Sequence, residues 1–281
     1  MLTVLEIIKR TTEFLEKRGV EGSRLSAELM IGHALGLKRM QLYLQFERPL
    51  TEPELVKIRP MVKRRGNREP VQYILGETEF SGLMLKVDRR ALIPRLETER
   101  LIELLTQRLT QAPANILDLG TGSGAIALAL AKAWPAAAVV GLDNSAEALA
   151  LARENAESCG LAGRVTFVLS DWFTNLEAAV KFQLIVANPP YLSDDEVRSA
   201  QPEVKDFEPP AALSAGSNGA AALEKIIREA RLHLAAGGLL ACETGTAQHQ
   251  QLLQLAASAG YGRAESLRDL AGRERYLLAL V

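Results

Sequence analysis

At 281 residues, with 48% hydrophobic and 24% charged residues, the chain is long enough for a full α/β domain and a smaller second one. Its net charge of −1 gives no bulk electrostatic reason to expect binding to nucleic acid or to an anionic membrane. Its apolar stretches are far shorter than the ~20 residues of a membrane span, and we expect neither a membrane helix nor a secretory signal.

Cysteine and histidine are too sparse and too scattered to indicate a disulfide framework or a metal centre. Cys159 and Cys242 form no close pair, and His33, His233 and His249 have no ligand spacing. We therefore expect a cytoplasmic protein without a metal.

The first part of the chain, residues 1–71, is predicted to be a helical domain. A capping-box pattern begins at Thr3 and precedes apolar residues at helical spacing. Ser23 is predicted to cap a second helix. A further helix is predicted to begin near Thr51, where Pro53 is tolerated in the first turn.

The last helix of this domain has a dense basic run. Its basic side chains are Lys57, Arg59, Lys63, Arg64, Arg65 and Arg68. The simpler interpretation is a solvated helix face, and the alternative is a docking patch for an acidic protein or an RNA backbone.

A change of pattern follows the helical domain. Residues 71–76 and 83–87 are β-like runs, and Ser81-Gly82 lies between them as a turn. We predict a β-hairpin over residues 72–94 that links two domains.

From Ala114 onward strand and helix patterns alternate, which predicts an α/β fold with a doubly wound, mostly parallel sheet in a domain over residues 95–281. The predicted strands are Asn115–Leu119, Val139–Leu142, Val165–Leu169, Phe182–Ala187, Gly238–Cys242 and one near Tyr276–Leu280. The predicted helices cover about 123–133, 145–159, 219–235 and 247–259.

A glycine-rich loop is predicted where the first of these strands turns into a helix, at Asp118–Gly124. Its glycines permit close approach of a ligand to the backbone, although a loop that serves packing alone is the alternative. Asp143 ends the next strand, 25 residues after Asp118, as expected for an acid that accepts ribose hydroxyls. The G-x-G-x-G spacing differs from the dinucleotide pattern, and so favours an adenosine ligand without a pyrophosphate.

Two further strand ends carry candidate ligand groups. Asp171 and Trp172 follow the third strand, where an acid and an indole can frame an adenine, unless Trp172 only fills the core. Asn188-Pro189-Pro190-Tyr191 follows the strand over 182–187, and its two prolines end that strand.

The Asn188 tetrapeptide fits a planar NH2 group on a conjugated carbon. Asn188 has a side-chain carbonyl, Pro189 a backbone carbonyl and Tyr191 a flat ring. Two acceptors that hold both N–H bonds can orient the nitrogen lone pair and stabilise the charge that develops during attack. Since the carboxyl ends of parallel strands meet at one crevice, we expect all these groups to converge.

This order of motifs resembles an S-adenosylmethionine-dependent methyltransferase that acts on a planar amine nitrogen. It is most similar to the peptide chain release factor glutamine methyltransferase family (HemK/PrmC type). The segments that carry this resemblance are Glu69–Gly76, Ile93–Glu99, Asp118–Gly124, Ser170–Phe173, Asn188–Tyr191, Phe207–Pro209 and Asp269–Arg273. One departure is Leu96, where the family usually has a proline.

The resemblance implies a substrate, a cofactor and a set of site residues. The expected contacts to S-adenosylmethionine are Gly120, Thr121, Gly122, Ser123, Gly124, Asp143, Trp172 and Asn188. The expected contacts to the glutamine of a release factor's Gly-Gly-Gln tripeptide are Asn188, Pro189, Pro190 and Tyr191, of which Asn188, Pro189 and Tyr191 are the expected catalytic residues. S-adenosylhomocysteine would be the product, and no metal is implied.

Three other functions remain open from the residues. An adenine methyltransferase can use the same tetrapeptide on a flipped base, although the balanced charge and the lack of a target-reading domain weigh against it. A ribosomal-protein glutamine methyltransferase is a closer alternative. A non-catalytic S-adenosylmethionine sensor would leave the Asn188 tetrapeptide unexplained.

Overall fold

The structure is a computed structural model that describes residues 2–177, 179–217 and 219–281. The predicted helical domain begins at Met1, which lies outside the described residues. The chain divides into two compact units, one of residues 1–77 with 201–207, and one of residues 78–200 with 208–281.

Five helices and two short strands come first, and helices and strands then largely alternate, with a 3-10 turn at Pro210–Ala212. In chain order they are α1 (Val4–Glu16), α2 (Ser23–Leu35), α3 (Arg39–Tyr43), α4 (Glu52–Gly66), α5 (Val71–Leu75), β1 (Glu77–Phe80), β2 (Leu83–Lys86), α6 (Leu96–Arg108), β3 (Asn115–Leu119), α7 (Ala125–Ala133), β4 (Ala138–Asp143), α8 (Ala146–Ser158), β5 (Val165–Leu169), β6 (Phe182–Ala187), α9 (Asp194–Ser199), α10 (Pro202–Lys205), α11 (Ala221–His233), β7 (Leu234–Glu243), α12 (His249–Ser258), β8 (Arg263–Arg268) and β9 (Glu274–Leu280).

Of the helix starts predicted for the first unit at Thr3, Ser23 and Thr51, the cap at Ser23 is the one that is wrong. The capping box at Thr3 is present, because its backbone N–H donates to Glu6 Oε2 at 2.8 Å and its hydroxyl accepts from the Glu6 N–H. The predicted cap at Ser23 is wrong. Gly22, in the left-handed conformation, precedes α2, and the Ser23 hydroxyl donates to the Val20 carbonyl at 2.6 Å.

Two apolar clusters form the core of the first unit. One contains Val4, Ile8, Ala27, Ile31, Leu42, Leu50 and Ile58, and the other contains Leu15, Val20, Met30 and Ile74. The second cluster corrects the strand predicted over residues 71–76. The run over residues 71–76 is not a strand, because Pro70 and Gly76 enclose one helical turn that places Ile74 in this cluster.

The basic run, which covers α4 and continues to Arg68 just beyond its end, is mostly neutralised by acids of the same unit. Arg59 pairs with Glu52 at 2.5 Å, and Arg64 pairs with Glu69 at 2.7 Å. In addition, Glu203 accepts from both Arg65 and Arg68, at 2.8 and 2.6 Å. The exposed members of the run are Lys57, Arg59, Lys63 and Arg64. Both interpretations of the run stay predictions, and two of its four paired arginines, Arg65 and Arg68, depend on Glu203, far along the chain.

The second unit begins with the predicted hairpin turn. Ser81 and Gly82, with φ values of 49° and 69°, connect β1 and β2. Two consecutive left-handed residues match the twist of paired strands, which is why such turns are common in hairpins.

Seven strands form the central sheet within the described residues, in the order β5-β4-β3-β6-β7-β9-β8. The strands from β3 to β7 are parallel, and β9 runs antiparallel to its neighbours. The chain builds outward from β3 in one direction and from β6 in the other, so the order reverses between these two strands. The predicted doubly wound, mostly parallel α/β fold is confirmed, whereas β8 was not predicted.

Helices cover both faces of the sheet, because the side chains that its strands direct to either face are apolar. Along β3, Ile116 packs in one core cluster while Leu117 and Leu119 pack in the other. Register places Leu119 beside Leu142 and Ala187, which are at or next to the carboxyl ends of β4 and β6. The loops that follow these three strands therefore open at one edge of the sheet. No helix in the described part of the chain is long and apolar enough to cross a membrane.

Candidate active site

A cleft of about 230 Å³ opens at this edge of the second unit. Eight of the residues predicted for the site line it, namely Gly120, Thr121, Gly122, Ser123, Asp143, Trp172, Asn188 and Pro190. The remaining three, Gly124, Pro189 and Tyr191, neighbour lining residues in sequence but lie outside the lining set. Residues of the segment before α6, from Arg90 to Arg95, form another wall.

The glycines of the loop after β3 share one backbone conformation, but Gly120 and Gly124 have different surroundings. All are left-handed, with φ values of 69° at Gly120, 54° at Gly122 and 83° at Gly124. A methyl group on Gly124 would lie 3.1 Å from Ala152 Cβ, so Gly124 allows α7 to pack against α8. At Gly120 the nearest atom would be Trp172 Cζ3 at 3.8 Å. This backbone therefore lies beside the indole within the cleft.

Asp118 anchors the loop from below rather than lining the cleft. Its Oδ2 accepts from the Thr121 hydroxyl at 2.6 Å and from the Ala127 N–H at 3.1 Å. The residue is fully buried, and burial raises the pKa of its carboxyl to about 7.

Asp143 both fixes the loop and faces the cleft. Its Oδ2 accepts from the Gly122 N–H at 2.8 Å, and its Oδ1 accepts from the Ser145 N–H at 2.9 Å. Burial raises the pKa of the Asp143 carboxyl, although these backbone donors oppose the shift. Each oxygen retains the capacity for a second hydrogen bond, which a ligand hydroxyl in the cleft can use.

Trp172 has an uncommon backbone conformation that directs its ring toward the cleft. Its φ is 51°, and the Ser170 hydroxyl donates to its carbonyl at 2.8 Å. The neighbouring Asp171 also lines the cleft and lies 3.5 Å from Lys225 Nζ.

Asn188 is linked to Tyr191 by a chain of buried groups. Its Nδ2 donates to Thr98 Oγ1 at 3.0 Å, and the Thr98 hydroxyl donates to Glu243 Oε2 at 2.7 Å. The Tyr191 hydroxyl donates to the other oxygen of Glu243 at 2.9 Å. Arg275 lies over the Tyr191 ring, 5.7 Å from its centroid.

Burial raises the pKa of Glu243 most strongly, while the hydrogen bonds from Thr98 and Tyr191 and the charge of Arg275 lower it. Burial also raises the pKa of Tyr191, and the negative charge of Glu243 adds to the rise. Tyr191 therefore keeps its hydroxyl proton at ordinary pH.

Three buried residues of this region were missed as functional candidates. Thr98 and Glu243 belong to the chain described above, and Glu208 accepts from the Ile93 N–H at 3.1 Å and pairs with Arg95. Glu243 ends β7, which lies beside β6. An acid at the end of a central strand was the available signal, and the same signal did identify Asp143.

Among the residues that the structure describes, no group of three or more histidine, cysteine, aspartate and glutamate side chains could hold a metal ion.

Known protein families match both parts of the chain. The model of the PrmC N-terminal domain matches residues 6–76, and that of a methyltransferase domain matches residues 111–270.

Solved methyltransferases have the same fold. One from Pyrococcus furiosus is 17% identical with a TM-score of 0.53, covering 71% of this chain and 89% of that chain. A T. thermophilus 16S rRNA methyltransferase, solved with AdoMet and guanosine, is 19% identical with a TM-score of 0.53, covering 73% and 49%. At these identities the likeness shows the fold alone, which is that of the S-adenosylmethionine-dependent methyltransferases.

Curated relatives match over nearly the whole length. The release factor glutamine methyltransferase of Geobacter sulfurreducens is 41% identical and covers 97% of this chain and 95% of its own. Those of Rhodopirellula baltica and Vibrio cholerae are 39% and 38% identical and cover 98% and 99% of this chain, and 95% and 96% of their own. At this identity and coverage, the chain belongs to the release factor glutamine methyltransferase family.

Proposed function

We propose that this chain transfers the methyl group of S-adenosylmethionine to the side-chain amide nitrogen of glutamine in the Gly-Gly-Gln tripeptide of peptide chain release factors. S-adenosylhomocysteine is the other product. The observation that carries the proposal is the position of Asn188, which lines the same cleft as the glycine loop and Asp143. Membership of the family supports the choice of substrate.

The cleft has the groups that an adenosine ligand requires. Asp143 offers two acceptor oxygens to the ribose hydroxyls, and Trp172 offers an apolar face to the adenine. The backbone of Gly120, Thr121, Gly122, Ser123 and Gly124 forms the turn against which the rest of the ligand lies. Bound S-adenosylmethionine supplies a methyl group already activated by its sulfonium.

The chain's own contribution is orientation and charge stabilisation. Asn188 Oδ1 and the Pro189 carbonyl accept hydrogen bonds from the two N–H groups of the glutamine amide. Pro190 and Tyr191 complete the pocket around this amide. This grip turns the nitrogen lone pair toward the methyl carbon and stabilises the positive charge that grows on nitrogen. A bond from nitrogen to carbon forms as the sulfur–carbon bond breaks, and the methylated nitrogen then loses a proton to water. No metal takes part in this proposal.

The helical domain, proposed as residues 1–71 with a hairpin linker to 94, is assigned to recognition of the release factor. Nucleic acid is a poorer fit as a partner. The chain has a net charge of −1, and Arg59, Arg64, Arg65 and Arg68 are paired with acids of their own unit. Flipping a base usually needs a free cationic groove to hold the distorted strand. A cytoplasmic location, expected from the cysteine usage, stays a prediction.

The test is to incubate the full chain with S-adenosylmethionine and a folded release factor and to locate the product by peptide mass spectrometry. We expect one added methyl group on the glutamine of the tripeptide. Replacement of that glutamine by alanine in the release factor should stop the reaction, as should Asn188→Ala in this chain. DNA and RNA oligonucleotides and ribosomal proteins serve as competing substrates. Faster methylation of any of them, or labelling that survives the glutamine replacement, would contradict the proposal.

A further inference from the structure

The NH2 of the Asn188 amide is held by Thr98, which lines the same cleft, and Thr98 is held in turn by Glu243, which lies outside the lining. Thr98, from α6, is 4% exposed, and Glu243, from the end of β7, is 1% exposed. The hydrogen bonds run from Asn188 Nδ2 to Thr98 Oγ1 (3.0 Å) and from Thr98 Oγ1 to Glu243 Oε2 (2.7 Å). Three elements that are distant in sequence thus meet behind one amide group.

The direction of the protons in this chain follows from the chemistry of a carboxylate. In the structure the hydroxyls of Thr98 and Tyr191 each donate to one oxygen of Glu243, so both carboxyl oxygens act as acceptors. The Thr98 hydroxyl proton is then used in the bond to Glu243, and the Thr98 oxygen can only accept a further hydrogen bond. Of the two halves of the Asn188 amide, only the NH2 half can satisfy that oxygen, which leaves the carbonyl half directed away from Thr98.

We propose that Thr98 and Glu243 are positioning residues that fix the Asn188 amide with its carbonyl oxygen presented to the substrate nitrogen. This inference rests on the proposed function, in which that oxygen accepts an N–H of glutamine. A flipped amide would set its own NH2 against the substrate NH2 and its oxygen against the oxygen of Thr98. Both contacts are repulsive, so a flipped amide cannot stabilise the positive charge that develops on the reacting nitrogen.

The same carboxylate holds Tyr191. Its hydroxyl donates to Glu243 Oε1 at 2.9 Å, and Gln248 Nε2 donates to its backbone carbonyl at 3.0 Å. One buried acid therefore fixes both ends of the Asn188 tetrapeptide, and the prolines between them have fixed φ angles. The segment is preorganised before the substrate arrives, which is the condition for electrostatic stabilisation without reorganisation.

The test compares Thr98→Val, which keeps the shape but removes the hydroxyl, with Thr98→Ser, which keeps the hydroxyl. We expect Thr98→Val to lower kcat on the order of 10-fold, and Thr98→Ser to restore most of the rate. In both variants the KM for the release factor and the calorimetric Kd for S-adenosylmethionine should change by less than about threefold, because a loss confined to the transition state appears in kcat. A merely structural role would instead weaken donor binding and stability together.

Glu243→Gln provides a second measurement that does not depend on the Thr98→Val protein folding. Glutamine fills the same space, but its NH2 can donate to Thr98 and so reverse the proton direction toward Asn188. We expect a reduced kcat with an unchanged Kd for S-adenosylmethionine. Equal rates for the valine and serine variants, or wild-type kcat in Glu243→Gln, would overturn the positioning role. Mass spectrometry of the product made by the wild-type chain tests the proposed function. That measurement is independent of the kcat ratios between variants and wild type, which test the positioning role.

Discussion

At the residue scale, the site depends on three acids at or near the carboxyl ends of central strands. Asp118, Asp143 and Glu243 occur in β3, β4 and β7, and each accepts two hydrogen bonds from the chain itself. The sequence predicted the places of Asp118 and Asp143 from the strand pattern and the spacing between them. It could not predict the partners, because these depend on which loop each carboxylate meets after folding.

Asp143→Ala tests the proposed ribose contact. Loss of a carboxylate that accepts hydroxyl hydrogen bonds should raise the Kd for S-adenosylmethionine on the order of 10- to 100-fold. The variant also releases the Gly122 N–H, so the loop should loosen and part of the loss comes from lower preorganisation. Isothermal calorimetry measures the effect. Glu147→Ala, which removes an exposed acid from the nearby start of α8, is the charge-matched control; equal affinities in the two variants would exclude the ribose contact.

Asp118 should make the stability of the second unit depend on pH. Its pKa is about 7 in the folded chain, whereas an unfolded aspartate titrates near ~3.9. Between these values the folded state binds more protons than the unfolded state, so stability decreases as pH rises through this window. Asp118→Asn cannot ionise and keeps an oxygen for Thr121 and Ala127. Urea unfolding at pH 5 and pH 8 should therefore show a loss of about 2–3 kcal/mol in the wild type that is absent from the variant. Parallel pH curves would contradict the raised pKa.

At the element scale, the sequence predicted the elements with a strong apolar pattern. The strands β3, β5 and β6 have the predicted bounds because each is a short apolar run between turn residues. β8 was missed because it is an edge strand with polar, partly exposed residues, which lacks that pattern. α5 was mistaken for a strand because a five-residue apolar run does not reveal its period, and only its packing with Leu15 and Met30 decides it.

The loop between β3 and α7 allows packing and ligand approach to be separated by a pair of variants. Gly124→Ala and Gly120→Ala both place a Cβ at positive φ, which costs about 1–2 kcal/mol. Only the first adds a 3.1 Å contact to Ala152 Cβ. We expect Gly124→Ala to lower Tm further, and Gly120→Ala to lose more affinity for S-adenosylmethionine relative to its change in Tm. Differential scanning calorimetry and donor titration measure the two effects, and the reverse order would contradict the division of tasks.

At the scale of the whole molecule, the units are not contiguous in sequence. The first unit includes residues 201–207, which come shortly after α9 and only ten positions beyond Tyr191. Composition and pattern predict only a contiguous boundary, at about residue 71. The seven residues 201–207 are too few to show a periodic pattern, so the sequence does not reveal that they belong to the first unit. A fragment that starts near Gln72 would also leave this segment without its partners. Surface variants of the helical unit are therefore the sharper test of its proposed role in release factor recognition.

Glu203 makes the strongest contacts between the returning segment and the helices of the first unit, and Gln201 adds hydrogen bonds to Arg68 and Glu21. Glu203 accepts from Arg65 Nη1 at 2.8 Å and from Arg68 at 2.6 and 2.8 Å, across 135 or more positions of sequence. The Arg65 side chain is only 7% exposed, so Glu203→Ala leaves a buried guanidinium without its carboxylate. We expect the free energy of unfolding of this unit to fall by about 2–3 kcal/mol. A urea titration monitored by hydrogen exchange measures this change. Glu52→Ala breaks the exposed pair with Arg59 and should change the stability little. If both variants were equally stable, the segment would be held by its remaining contacts, and the return of the chain would not depend on this ion pair.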